Sequence, residues 1–221
     1  HGSIVLAEHQ SAGRGRGGSC WQSSPGNCLT FSLALKPTMP PQQWSRFALV
    51  SGLAVAETIA RLDIDARIKW PNDIWIDERK VAGILIETQS DRLIIGIGLN
   101  VHPQSLPRDI AAHTTCLQNH THHPLSRPAI LESLLASLAH HSAQIESGFP
   151  VQLDLIRRRC ALTGRHVTLR VHGQDHHGRV LGISDAGALI FEHPDGTRED
   201  LIQAEQIRPI NQSSSPPASA G

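Results

Sequence analysis

The chain has 221 residues, 39% of them hydrophobic, which is enough to fill one large core or a medium core with a small one beside it. Lysine plus arginine equals aspartate plus glutamate at 20 each, so the basic excess of a protein that lives on phosphate backbones is missing and generic nucleic-acid binding is disfavoured. No apolar run approaches the ~18 residues of a membrane span, no signal-peptide pattern opens the chain, and the four cysteines lack C-x-x-C spacing; the expectation is a cytoplasmic protein with reduced thiols and no membrane partner.

In chain order, "SIVLAE" (3–8) and "LTFSLAL" (29–35) are short β-type runs. Between them lies "EHQSAGRGRGGSCW", whose glycines lift the steric limits on φ and ψ, so that something else must order this loop. Residues 40–62 place Trp44, Phe47, Ala48, Val55, Ile59 and Leu62 near helical spacing. "ARIKW", "DIWI", "KVAGILIET" and "RLIIGIGLNV" follow, with turns at "PND" and "DER" and no room for crossover helices, which predicts a mostly antiparallel sheet. Residues 126–147 and about 150–161 read as helices, with Ser126 as a cap and Pro128 in the first turn. From Gly164, short strands separated by Gly and Asp turns predict a small β-barrel. The tail 211–221 has nothing to bury and is expected to be disordered. The histidine runs "NHTHHP" and "DHHG" have no Cys or carboxylate partners at ligand spacing, so they read as exposed loops and no metal site is assigned.

Chemistry concentrates in four stretches. In the opening loop, freed backbone N–H groups can approach a phosphate closely while Arg14 and Arg16 grip its oxygens or a carboxylate; taken alone, a solvated surface loop fits as well. An RGG-type RNA tail fits worse, because such tails repeat in basic, disordered sequence and this one occurs once between two strands. In "KWPND" (69–73), Lys69 and Asp73 bracket a turn and set an ammonium and a carboxylate at one end of the sheet, although the residues also suit a tight connection. "RKVAGILIE" (79–87) starts a strand with Lys80 and carries Gly83 in its interior, where a ligand can lie against the backbone. "GIGLN" (96–100) sets Gly96 and Gly98 on one face and ends in Asn100, an amide able to read a polar ligand; core glycines without function fit equally.

In this order and spacing the four stretches resemble biotin protein ligases. "EHQSAGRGRGGSCW" is similar to the family's glycine-rich adenylate loop, "KWPND" to its signature turn, "KVAGILIE" and "GIGLN" to its biotin-facing strands, and 164–210 to its SH3-like C-terminal domain. The resemblance implies an α+β fold of the class II aminoacyl-tRNA synthetase-like, biotinyl/lipoyl ligase type. That fold is a mixed, largely antiparallel sheet flanked by helices, with a catalytic domain over 1–161 and an SH3-like barrel over 162–210. It also implies an activity: biotin and ATP, with Mg²⁺ screening the phosphates, give biotinyl-5′-AMP, from which a lysine of a biotin carboxyl carrier protein, an acetyl-CoA carboxylase subunit, displaces AMP.

By the same resemblance Lys80, Arg16 and Asp73 act in the chemistry, Lys80 stabilising charge on the reacting carboxylate and phosphate and Asp73 receiving the acceptor amine. Gln10, Gly13, Arg14, Gly15 and Arg16 contact biotin or the adenylate, Trp21 lies against the adenylate, and Lys69 supports phosphate binding. Gly83, Gly98 and Asn100 line the biotin pocket, and Asn72, Ile84 and Gly96 complete the substrate-binding set. Ordering six loop residues costs on the order of 6–12 kcal/mol, against about 1.5–3 kcal/mol for a charge-assisted hydrogen bond, so the loop is expected to stay open until the adenylate forms. Members of the family usually carry a helix and a Ser/Thr-Asn biotin-contacting segment upstream of the strand that here begins at Ser3, so an N-terminally truncated catalytic domain is expected. Ser19 and Cys20 stand where many members have a basic residue. A homodimer joined through sheet edges is compatible with the resemblance. A lipoate or octanoate ligase of the same fold and a non-catalytic biotin-binding relic are the alternative readings.

Overall fold

The computed structural model describes residues 1–210; the tail expected over 211–221 lies outside the described residues. The chain divides into two compact units with the boundary between Ala161 and Leu162.

The first unit is built on six strands: β1 (Ser3–Ala7), β2 (Cys28–Leu35), β3 (Arg67–Lys69), β4 (Asp73–Ile76), β5 (Arg79–Gln89) and β6 (Arg92–Asn100). They form one sheet in the order β1-β2-β6-β5-β4-β3, and every neighbouring pair is antiparallel. The "DER" turn is a two-residue hairpin with Asp77 and Glu78 both left-handed, at φ 49° and 61°, the backbone that matches the twist of the flanking strands.

Strand alternation sends Ile68, Ile74, Ile84, Ile95 and Ile97 to the core face, where all are at least 98% buried. Against that face packs α1 (Arg46–Ala60), with Leu53, Val55 and Ile59 fully buried. The helix starts six residues later than its hydrophobic period predicts, because Pro40 and Pro41 direct the chain into a 3₁₀ turn at Pro41–Gln43 first. The connection after β6 holds a four-residue helix, α2 (Arg108–Ala111), too short to show a period in the sequence.

Two longer helices follow, α3 (Arg127–Ala143) and α4 (Phe149–Arg159). Ser126 caps α3 by accepting the Ala129 N–H, as predicted. His141 ties α1, α3 and α4 together: its Nε2 lies 2.8 Å from Glu57 Oε2, and its carbonyl accepts a 2.8 Å bond from the Gln152 amide. The α+β class and the antiparallel sheet flanked by helices are therefore as expected.

The second unit is a five-stranded antiparallel sheet of β7 (His166–Val171), β8 (Gln174–Ile183), β9 (Leu189–Glu192), β10 (Arg198–Leu201) and β11 (Glu205–Pro209), in the order β10-β9-β8-β7-β11. The first four match predicted segments. The fifth was not anticipated, since "EQIRP" is mostly polar and buries only Ile207. Gly178 is the tight point of this unit: a Cβ there would press into the Glu192 carbonyl oxygen and come within 2.6 Å of Phe191 Cζ. Gly178→Ala is expected to destabilise this unit by about 1–3 kcal/mol through overpacking, read as a lowered denaturation midpoint of the C-terminal transition. Among the described residues no helix is long and apolar enough to cross a membrane.

Candidate active site

On the sheet face opposite α1, strand register places residues from separate sequence stretches in one row. Thr30 pairs with Gly98, Gly98 with Gly83, Gly83 with Asp73, and Asp73 with Lys69, so a single line of side-chain positions crosses β2, β6, β5, β4 and β3. Directly paired residues share a face. Two glycines at the middle of the row leave the floor without side chains, and a carboxylate and an ammonium stand at one end. The next row, Ser32–Gly96–Leu85, extends the floor. Above it is a cleft that takes in the Gly13–Trp21 loop through Arg14, Gly15, Arg16 and Trp21.

Lys80 reaches this face through a bulge. Lys80 and Gly83 are three residues apart, so simple alternation would send them to opposite faces. The register between β4 and β5 instead shifts, from Ile74↔Ala82 to Trp75↔Lys80, which leaves Val81 as an extra residue. Val81 and Ala82 are both buried, and the phase of the strand changes at that point. A Cβ at Gly83 would lie 3.0 Å from Lys80 Cε and Nζ, so the two share one face. Lys80 Nζ pairs with Asp73 Oδ1 at 2.7 Å, while Asp73 Oδ2 is 3.8 Å from Lys69 Nζ. The ammonium of Lys69 also lies over the Trp75 ring at 4.9 Å. The motifs at 69–73 and 79–87 thus converge in a chain of three charges at the end of the cleft.

The loop is an ordered hairpin. Trp21 N–H donates to the Gly13 carbonyl (3.0 Å) and Gly15 N–H to the Ser19 carbonyl (2.7 Å), around a 3₁₀ turn at Arg16–Gly18. The hairpin's own backbone bonds and the seating of Trp21 supply the order that the glycine content concealed. Gly13 and Gly15 are required by close approach: a Cβ at Gly13 would press into the Trp21 carbonyl oxygen and lie 2.9 Å from Gln10 Oε1, and one at Gly15 would meet Ser19 Oγ. The Trp21 indole rests on the glycine floor, in direct contact with Gly98 and next to Gly83, with Lys80 Nζ 5.7 Å from its ring centroid. Its buried Nε1 and the buried Thr30 Oγ1 have no hydrogen-bond partner, and each such group costs about 1–3 kcal/mol until a polar ligand or rearrangement satisfies it. Arg14 reaches across the cleft mouth to Glu87 at 2.9 Å, an exposed pair open to exchange for an anionic ligand.

The structure brings Gln10, Arg14, Gly15, Arg16, Trp21 and Asn72 together at the cleft, along with Lys80, Gly83, Ile84, Gly96 and Gly98. Gly13 is buried at the loop neck, and Asp73 and Lys69 stand behind Lys80. Asn72 is less a reader than a clamp: its Nδ2 donates to the Ile84 carbonyl and its carbonyl accepts the Ile84 N–H, both at 2.8 Å.

Asn100, at the end of β6, is 2% exposed and held among buried partners. Its Nδ2 donates to the Thr115 carbonyl (3.1 Å), and its Oδ1 accepts from Gln104 (3.1 Å) and from the Cys28 thiol (3.5 Å), a thiol whose pKa burial pushes up. As the last residue of β6, paired with Cys28, it keeps the strand phase of Gly96 and Gly98, and its partners Thr115 and Gln104 come from a loop that no pattern in the sequence joins to it. Reasoning from the sequence also missed Thr30, Ser32 and Glu87 as cleft residues. Their alternation on β2 and β5 was visible, but the register that aligns them with the glycines was not.

Residues 1–103 match the Biotin/lipoate A/B protein ligase family, and residues 162–211 match the Biotin protein ligase C terminal domain. The chain is 31% identical to the biotin–[acetyl-CoA-carboxylase] ligase of Mycobacterium tuberculosis, over 93% of this chain and 78% of that protein. It is also 31% identical to the corresponding ligase of Paracoccus denitrificans, over 92% and 88%. It is 33% identical to the bifunctional ligase/repressor BirA of Bacillus spizizenii, but spans only 64% of that protein's length. The solved structure of biotin protein ligase from Aquifex aeolicus in complex with biotin and ATP superposes with a TM-score of 0.86 at 30% identity, over 94% of this chain and 89% of that one. With the glycine-floored row, the charged end and the arginine hairpin in the places the motifs predict, the chain belongs to the biotin protein ligase family.

Proposed function

We propose that the chain joins biotin to a lysine of a biotin carboxyl carrier protein at the expense of ATP. The observation that carries this reading is the row Thr30–Gly98–Gly83–Asp73–Lys69, flanked by Lys80 and roofed by Arg14 and Arg16. A side-chain-free floor admits a flat, neutral ring system, and cations converge only at one end, where a carboxylate and a phosphate would meet. In the first half-reaction a biotin carboxylate oxygen bonds to the α-phosphorus of ATP as the bond from that phosphorus to the bridging oxygen breaks, and pyrophosphate leaves with the electron pair. Lys80, held by Asp73, supplies positive charge where the two anionic groups approach. In the second, the acceptor lysine nitrogen bonds to the acyl carbon, AMP leaves with the electron pair, and the amine loses a proton. Asp73 Oδ1 is engaged by Lys80, and Oδ2, 3.8 Å from Lys69 Nζ, is the oxygen that would orient the incoming amine.

Mg²⁺ enters this reading as the companion of ATP. Among the described residues no group of three His, Cys, Asp or Glu could hold a metal ion. The cation would bind through triphosphate oxygens and water, with one carboxylate at most.

The test is ATP–pyrophosphate exchange with biotin, lipoate and octanoate compared, followed by AMP release in the presence of a carrier domain. Biotin-specific exchange and carrier-dependent release are expected. Exchange driven by lipoate or octanoate would replace this reading with the lipoyl one, and exchange with no acid would indicate a binding protein. The matched biotin protein ligase C-terminal domain favours biotin.

Arg16 opens the turn of the roof, so Arg16→Gly is expected to leave adenylate synthesis partly intact while letting the adenylate escape. The sign would be biotin on lysines of arbitrary bystander proteins, detected by blotting. Strict selectivity for the carrier in the variant would show that the roof does not retain the intermediate.

A further inference from the structure

We propose that Arg127, at the start of α3, is a positioning residue for the roof hairpin, which it holds by closing the neck between β1 and β2. The inference rests on the reading of that hairpin as the part that retains the adenylate. Pairing of β1 with β2 ends at Ala7↔Thr30, so Glu8 and Cys28 stand beyond this ladder, where the chain leaves for the hairpin and returns from it. The Asn27 carbonyl accepts the Val101 N–H, so by alternation the Cys28 carbonyl faces away from β6, toward the side where β1 has ended. Arg127 takes the place of the missing strand. Its Nη1 donates to the Cys28 carbonyl (3.0 Å) and to Glu8 Oε2 (2.9 Å), so one guanidinium grips both limbs. That guanidinium, and to a smaller extent the Gly26 backbone N–H, hold the Glu8 carboxyl below the usual carboxylate range.

From the neck the contacts between the limbs continue as rungs. His9 Nδ1 lies 3.0 Å from the Ser23 carbonyl oxygen and the Gln10 N–H donates to Ser23 Oγ (3.4 Å), ahead of the Gly13–Trp21 and Gly15–Ser19 bonds. Arg127 closes this series at one end, and Trp21 seats the other on the glycine floor. The helix itself gains nothing from the side chain. Arg127 is the first residue of α3, where a cation opposes the helix dipole, and Ser126 with Pro128 already supplies the start. A residue unfavourable to its own helix and shared between two limbs of the loop serves the loop. Arg127 is 23% exposed and Cys28 2%, so loss of the guanidinium leaves the Cys28 carbonyl without this partner until the neck opens to water.

The experiment uses the full chain with Arg127→Ala, Glu8→Ala and the two combined, and reads trypsin cleavage after Arg14 and Arg16 by mass spectrometry, without ligand. Cleavage there is expected to quicken about five- to fiftyfold in Arg127→Ala and about two- to fivefold in Glu8→Ala, which removes an exposed ion pair. The double variant should be less than about twofold beyond Arg127→Ala, because contacting residues couple. Cleavage outside the hairpin should not change. A rise at every site, no rise in the hairpin, or effects of the two substitutions that multiply would each overturn the proposal. Glu8→Ala keeps the test alive if Arg127→Ala does not fold.

Release of biotinyl-AMP separates positioning of the roof from a merely structural part. Dissociation from Arg127→Ala is expected to quicken about five- to fiftyfold, while kcat of biotin-dependent ATP–pyrophosphate exchange falls by a smaller factor. Release at the unaltered rate, or an exchange loss as large as the gain in release, overturns the proposal. If the unaltered chain binds no biotinyl-AMP, the ligase reading falls, and cleavage measured without ligand still decides whether Arg127 closes the neck.

Discussion

Lys80→Ala is expected to lower biotin-dependent ATP–pyrophosphate exchange by about 10²–10³, the usual loss when one preorganised charge-stabilising donor is removed, while transfer from pre-made biotinyl-AMP falls less than about tenfold. The asymmetry follows from where charge gathers. During adenylation a carboxylate and a triphosphate are forced together beside the Lys80 ammonium, whereas in transfer a neutral amine meets an acyl phosphate. The fold should tolerate the change, because Asp73 keeps Lys69 as a partner at 3.8 Å and Lys80 is only part-buried. Lys80→Arg should not rescue. A planar, delocalised guanidinium does not reproduce the compact ammonium that pairs with Asp73 Oδ1 at 2.7 Å. Thermal melting separates chemistry from stability: a large drop in Tm alongside the rate loss, or equal losses in both half-reactions, would show that Lys80 serves binding or folding in general.

The strands, the capped helix α3 and the second unit were legible because each depends on neighbours within a few residues. Alternation marks β2 and β6, and Ser126 with Pro128 marks a helix start. The charged end of the site was half legible. "KWPND" brings Lys69 and Asp73 together locally, but the entry of Lys80 into the same group depends on a bulge at Val81 that shifts strand phase by one residue. Nothing in "RKVAGIL" announces that shift, which is set by the pairing of β5 with β4. The partners of Asn100 were illegible for the same reason, because Thr115 and Gln104 come from the β6–α3 connection. The order within the loop was not legible either. Six residues counted for their entropy argue for disorder, and the opposing terms, a hairpin closed by backbone bonds and an indole buried on a distant glycine, are long-range.

The contact between Trp21 and Gly98 makes the second large expectation. Gly98 lies in the interior of β6 in extended backbone, paired on both sides, so alanine there imposes no strain on the main chain and removes conformational freedom from the unfolded state. Yet its Cβ would fall inside the Trp21 ring, and the indole must leave the floor. Burying a large apolar side chain is worth about 1.5–3 kcal/mol, which at about 1.4 kcal/mol per decade corresponds to roughly a ten- to hundredfold weaker closure of the hairpin. Biotinyl-AMP should accordingly dissociate about ten- to a hundredfold faster from the variant, measured by dilution into excess unlabelled ligand. Gly83→Ala, whose Cβ would lie at an ordinary 3.4 Å from the indole but at 3.0 Å from Lys80, should instead slow adenylate formation more than it speeds release. The two neighbouring glycines thus separate the roof from the charged end. A Gly98→Ala chain that released the adenylate at the unaltered rate would show that the seat of Trp21 plays no part in holding it.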